Sequence, residues 1–115
     1  MSDEILLSPI VDTLHQLASK SRAATDEQLA ELHHLSKEQM PRFLEALAPL
    51  RLREDTKMFD VCLLLRLRFS LSEICCLLDV STQSLNTMRC RLYRKLHGTN
   101  GKARDFDEEI QQMPC

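Results

Sequence analysis

Leucine dominates this sequence and the residues that build sheets are scarce: 21 of 115 residues are Leu, against three Val, four Ile and two Gly (Gly98 and Gly101). Strands draw on β-branched and aromatic side chains, and hairpins on turn glycines. An all-β fold is therefore excluded and the chain reads as all-α. Aromatic residues are 4% of the chain and Trp is absent, so Leu, Met and small residues must build the core. At this length a compact fold hides roughly two-thirds of its unfolded surface, enough for a real core.

Helix signals recur along the chain. Ser8-Pro9 places a capping hydroxyl before a Pro at the first helical position, and Ile10, Leu14, Leu17 and Ala18 then share a face. Lys20 and Arg22 stand near the end of that helix, where cations suit its dipole. Thr25-x-x-Gln28 forms a capping box for a second helix carrying Leu29, Leu32 and Leu35. Pro41 interrupts it and starts a short third helix to Ala48 that buries Phe43, Leu44 and Leu47. A fourth helix is expected from Thr56 to Leu67, capped by Asp55; it has almost no polar face and should be the central buried one. Ser70-Leu71-Ser72-Glu73 is a second capping box opening a helix to Leu78, followed by a tight Asp79-Val80 turn. Ser81 caps a helix from Thr82 to His97, with Gly98 as its left-handed terminator. After Asn100-Gly101, a last helix from Ala103 to Gln112 buries Phe106 and Ile110.

The longest apolar runs are five residues, Val61–Leu65 and Ile74–Leu78, whereas a membrane span needs about 20. The acidic start, Met1-Ser2-Asp3-Glu4, lacks the basic region of a signal peptide. Cys62, Cys75, Cys76, Cys90 and Cys115 form no Cys-x-x-Cys, and four of them sit in Leu-rich helices, so buried, reduced thiols are expected. These features predict a cytoplasmic protein without membrane contact. His33-His34 lack metal-ligand spacing, and no Gly-rich phosphate loop, nucleophile elbow or acid/base pair is visible. No metal, cofactor or catalytic residue is assigned, and the chain is not read as an enzyme.

The formal net charge of −2 hides an uneven layout. Residues 1–50 carry four basic and eight acidic side chains, a net −4; residues 51–100 carry nine and five, a net +4; residues 101–115 carry two and four, a net −2. Between Ser81 and His97 there are four basic residues and no acidic one. Two consecutive helices joined by a three- or four-residue turn, the second basic, follow the helix-turn-helix plan, in which the first braces the second and the second lies in the major groove. Cys75 is the small residue at the close approach, Val80 the plug of the turn, and Leu85, Met88, Leu92 and Leu96 the apolar back of the second helix. Rotating about 100° per residue from that stripe turns Gln83, Asn86, Thr87, Cys90 and Arg94 outward, flanked by Arg91 and Lys95. Gln83 and Asn86 are suited to adenine edges, Arg91, Arg94 and Lys95 to phosphates, and Ser81 and Thr82 to a phosphate at the helix start. These residues with Thr87 are the expected DNA-binding set. Arg89 lies nearer the back and is expected to form an internal ion pair with Glu73 or Asp60. Asp105, Asp107, Glu108 and Glu109 read as a solvated acidic face, an autoinhibitory contact with the basic helix being the alternative.

Glu73-Ile74-Cys75-Cys76-Leu77-Leu78-Asp79-Val80-Ser81-Thr82-Gln83-Ser84-Leu85, with Arg91 and Lys95-Leu96 following, resembles the helix-turn-helix of LuxR/GerE-type bacterial transcription regulators. It is similar also to region 4 of sigma factors. The resemblance is strongest over residues 69–98. More weakly, the Ser-Pro-Ile-Val start and the Gly98…Gly101…Ala103-Arg104-Asp105-Phe106-Asp107 tail resemble the C-terminal part of bacterial regulators with tetratricopeptide repeats upstream. This implies a fragment of such a regulator or a shortened member. Three positions depart from the pattern. LuxR-type domains carry Gly just before the bracing helix, where this chain has Arg68-Phe69, and an Arg held at positive φ costs about 1 kcal/mol or more. Cys75 stands for the usual Ala, and Leu85 for Val or Ile.

The expected organisation is therefore an acidic helical segment, residues 1–50, for dimerisation or coupling, and a DNA-binding part, residues 51–115, comprising a helix-turn-helix and a short C-terminal helix. The expected function is a transcription regulator that reads double-stranded DNA with helix 82–97 as a homodimer. The alternative is a helical interaction module docking on RNA polymerase or another acidic partner.

Overall fold

A computed structural model of the chain describes residues 8–114; the acidic start Met1–Glu4 and Cys115 lie outside them. The described residues form seven α-helices and no strand. Helix α1 spans Pro9–Ser19, α2 Asp26–Gln39, α3 Pro41–Leu47, α4 Lys57–Arg66, α5 Leu71–Leu78, α6 Thr82–His97 and α7 Ala103–Gln111, with a single 3-10 turn at Ala48–Leu50 after α3.

The local signals act as the sequence suggests at most helix ends. Both capping boxes close: Gln28 N donates to Thr25 Oγ1 at 3.1 Å and Glu73 N to Ser70 Oγ at 3.2 Å. In return Thr25 N and Ser70 N donate to the Gln28 and Glu73 side chains. Orphan N–H groups of the first turn are thus satisfied reciprocally. At α4 the cap is Thr56 rather than Asp55: Phe59 N donates to Thr56 Oγ1 at 3.4 Å, while Asp55 pairs with Arg53 in solvent. A β-branched hydroxyl next to the first helical residue wins because the cap must directly precede that residue.

One apolar cluster runs through both sides of residue 50, drawing Ile10, Val11 and Leu14 from α1, Leu32 from α2, Phe43 from α3, and Phe106 and Ile110 from α7. Helix α4 is its centre. Every residue from Phe59 to Arg66 is buried, including Asp60 and Arg66, as expected of a helix without a polar face. The buried polar groups are partnered: Arg66 Nε donates to the Met113 carbonyl at 2.9 Å, and Asp60 Oδ1 lies 2.5 Å from His33 Nε2 of α2. No helix among the described residues is long and apolar enough to cross a membrane.

Helices α4 and α5 both end in Schellman turns that need a left-handed residue. After α4 the residue is Arg68 at φ 68°, with Arg68 N and Phe69 N donating to the Leu65 and Leu64 carbonyls at 3.0 Å each. The Arg side chain is exposed and the apolar contact comes from Phe69, 2% exposed. An L-residue costs about 1 kcal/mol there. Arg68→Gly is therefore expected to raise stability by about 1 kcal/mol, a few degrees in Tm. A thermal melt that shows no rise, or a fall, would mean that Arg68 is not strained.

Candidate nucleic-acid interface

Helices α5 and α6 are joined by Asp79, Val80 and Ser81. Asp79 takes the left-handed conformation at φ 53°, tolerable for its short polar side chain, and Val80 N donates to the Cys75 carbonyl at 3.0 Å. Val80 and Cys75 pack half-buried against the core at this corner. The chain then turns at Ser81, whose Oγ accepts from Ser84 N at 3.0 Å and opens α6. Leu85 and Leu92 are buried and Met88 and Leu96 half-buried, so α6 lies on the core by the expected stripe. It ends where Gly98, at φ 74°, lets its N–H reach the Arg94 carbonyl at 2.7 Å. Gly101, a little further on, sits flat on the Tyr93 ring; a Cβ there would come 2.1 Å from Cε1.

Helix α5 is gripped from the N-terminal side. Helix α1 packs along α5, where His15 Nδ1 donates to Glu73 Oε2 at 2.6 Å and its ring stacks on Phe69 with centroids 4.0 Å apart. The α1–α2 connection adds Ala24 N donating to the Leu77 carbonyl at 2.9 Å. Partial burial pushes the Glu73 carboxyl up, but hydrogen bonds from Ser70 N–H and His15, with the His15 charge, outweigh it and hold the group below its ordinary 4.5. A carboxyl with a lowered folded value contributes stability that is present above the ordinary value and is lost as pH falls through the lowered one. Glu73→Gln should thus destabilise the chain near neutral pH, and the gap to wild type should close as acidification protonates Glu73. Melts at several pH values measure it; a gap that widens in acid would contradict the assignment.

All eight expected DNA-binding residues, Ser81, Thr82, Gln83, Asn86, Thr87, Arg91, Arg94 and Lys95, are exposed. Gln83, Thr87, Arg91 and Lys95 follow one another at i, i+4 spacing in one row, and Asn86, Cys90 and Arg94 form the adjacent row. The Ser81 hydroxyl is occupied by its capping bond and by a second hydrogen bond to Ser84 Oγ at 3.0 Å. The helix start therefore offers the Thr82 hydroxyl and free first-turn N–H groups rather than Ser81 Oγ. A groove of about 430 Å³ runs beside the first row, floored by Val80 and Met88 and edged by Gln83, Thr87 and Arg91. Lys57, the first residue of α4, closes its far side. Nothing in the sequence near Lys57 marks it; only the packing of α4 beside α6 brings this extra cation to the basic face.

Arg89 is the cation on the inner side, 4% exposed, and its partner is neither Glu73 nor Asp60. Glu73 faces α1 and Asp60 faces α2, whereas Asp107 comes from α7. Arg89 Nε donates to Asp107 Oδ1 at 2.9 Å, Nη2 donates to Asp107 Oδ2, and Nη1 donates to Asn86 Oδ1 at 2.6 Å. Helix α7 also meets α6 where His97 Nε2 lies 2.5 Å from Glu109 Oε2. Two of the four carboxylates expected on a solvated face thus turn towards α6. They engage Arg89 and His97, while Arg91, Arg94 and Lys95 stay open to solvent.

The α2 histidines have side-chain partners within the fold. His33 is held between Asp60 and the Phe59 ring edge, and His34 pairs with Glu38, four residues on, at 3.0 Å. No metal-binding cluster is found among the described residues. Burial, then the Asp60 charge, pushes the Cys62 thiol up to about 12, which keeps it protonated and inert. Cys75 and Cys76 are half-buried and Cys90 is exposed on α6, so among the described cysteines only Cys62 fits the expectation of burial.

Comparison with protein-family models, with curated proteins and with solved structures found no match to this chain.

Proposed function

We propose that this chain is a DNA-binding transcription regulator, or the regulator domain of one, that lays α6 in the major groove. The observation that carries the reading is the outer face of α6: Gln83, Asn86, Thr87, Arg91, Arg94 and Lys95 stand exposed in two adjacent rows with no carboxylate among them. Of the α7 carboxylates that come near this helix, Asp107 is neutralised by Arg89 on its inner side and Glu109 is hydrogen-bonded to His97 at its end. Phosphate neutralisation needs such an acid-free cationic surface, and base reading needs the amide and hydroxyl groups between the cations. Lys57 adds a cation across the groove. The grip of α1 on α5 supports a rigid brace, which a reading helix requires to keep its register.

One such helix reads only a few base pairs, so binding as a homodimer on two half-sites is part of the proposal. Selection of bound sequences from a random duplex pool at low salt tests both. The expected result is an enriched palindrome with half-site centres one helical turn, about 34–36 Å, apart. No retention of duplex at low salt would overturn the proposal in favour of the basic face docking on a protein such as RNA polymerase.

A further inference from the structure

Asn86 is exposed on the face assigned to DNA, yet one half of its amide is already engaged from behind. The group that engages it is a guanidinium, which has five N–H donors and no acceptor, so the amide atom facing Arg89 has to be the oxygen. Arg89 cannot swing away to free it. Its side chain is 5% exposed, and both carboxylate oxygens of Asp107 accept from it in a fork of two parallel hydrogen bonds. Asp107 is itself fixed, because its neighbours on α7, Phe106 and Ile110, are fully buried. A continuous chain of charge-assisted bonds therefore runs from α7, through the buried side of α6, to the exposed amide.

We infer that Arg89 and Asp107 are positioning residues that hold Asn86 with its oxygen turned inward and its Nδ2 hydrogens outward, as a donor-only reader of a base edge. The inference rests on α6 lying in the major groove. An unrestrained Asn reads adenine by accepting from the 6-amino group while donating to N7. With its oxygen drawn back onto a buried guanidinium, Asn86 cannot serve the 6-amino group of adenine or the 4-amino group of cytosine. It selects acceptors, and guanine presents two adjacent ones, N7 and O6, in the major groove. The base that Asn86 specifies is thus guanine, and the C-terminal helix α7, which touches no DNA in this arrangement, sets that choice.

The test starts from the duplex that the intact chain selects and from the base pair at which Asn86→Ala no longer discriminates. At that pair, wild-type chain is titrated with duplexes carrying guanine, 7-deazaguanine, adenine, and a purine that lacks the 6-amino group of adenine. The expected result is binding about three- to tenfold weaker without N7, the worth of one hydrogen bond, and no difference between adenine and the purine that lacks its 6-amino group. Weaker binding on loss of the 6-amino group, no response to loss of N7, or an Asn86→Ala chain with unchanged preferences overturns the inference and leaves DNA binding standing. A second readout is the base enriched by Asp107→Asn. If that variant folds, the released amide should move the preference at this pair from guanine towards adenine, and an unchanged preference overturns the assignment of Asp107. If it does not fold, the purine series on the wild-type chain decides alone. A wild-type chain that binds no duplex overturns the DNA-binding proposal, and this inference with it.

Discussion

Replacing Arg91, Arg94 and Lys95 together by Ala is expected to weaken duplex binding several hundredfold at about 0.1 M salt, to nearly the same extent on every DNA sequence. Each phosphate contact releases close to one counterion, so three fewer cations should flatten the slope of log affinity against log salt by about 2.7. Read from about 1 M, where that contribution vanishes, to about 0.1 M, the same change amounts to between two and three decades. The fold should be indifferent to the triple change. All three side chains are exposed, and surface substitutions away from partners stay within about ±0.5 kcal/mol. Binding and melting measurements on one preparation check both halves. A variant that melts normally and binds DNA as well as wild type would remove α6 from consideration as the contact surface.

The second large effect is on stability. Asp107→Ala is expected to destabilise the chain by about 3–5 kcal/mol, because it leaves the Arg89 guanidinium, 4% exposed, without its carboxylate. A domain of this kind has about 5–15 kcal/mol in total, so this one change removes a large part of it. The pair between Arg53 and Asp55 is the internal control. Its side chains are 80% and 65% exposed, and Asp55→Ala should change stability by well under 1 kcal/mol. What the buried pair supplies is geometry more than net energy. The double change Arg89→Met with Asp107→Leu should therefore recover most of the loss, since a well-packed apolar pair is no worse than a buried ionic one. Denaturant midpoints of the three variants measure this; Asp107→Ala within 1 kcal/mol of wild type would show that Arg89 is solvated by other means.

Much of the fold is readable in the chain because the signals are local. The two capping boxes, Pro9, Pro41 and Gly98 each act within one helical turn, and the helix bounds they mark agree with the structure to within a residue or two. The stripe of Leu85, Met88, Leu92 and Leu96 needs only helical periodicity, and it lies on the core as that periodicity requires. Where the expectation failed, the deciding contact spans a distance that periodicity does not encode. Arg89 could be placed inside the fold, but its expected partners Glu73 and Asp60 are taken by α1 and α2, and Asp107, expected on a solvated face, reaches it from α7. Lys57 joins the basic face only through the packing of α4 beside α6. The Asn86 amide illustrates the same limit: its exposure follows from rotation about the helix axis, whereas the direction of its oxygen depends on an ion pair with a residue 18 positions from Arg89.

The central claim is that duplex DNA meets the outer face of α6, and mapping backbone amide shifts during titration with a short duplex at low salt tests it most directly. The perturbed amides are expected to cluster from Ser81 to Lys95 and at Lys57, while α1 and α2 stay unchanged. Perturbations confined to α1 and α2, or none at all on addition of duplex, would contradict it.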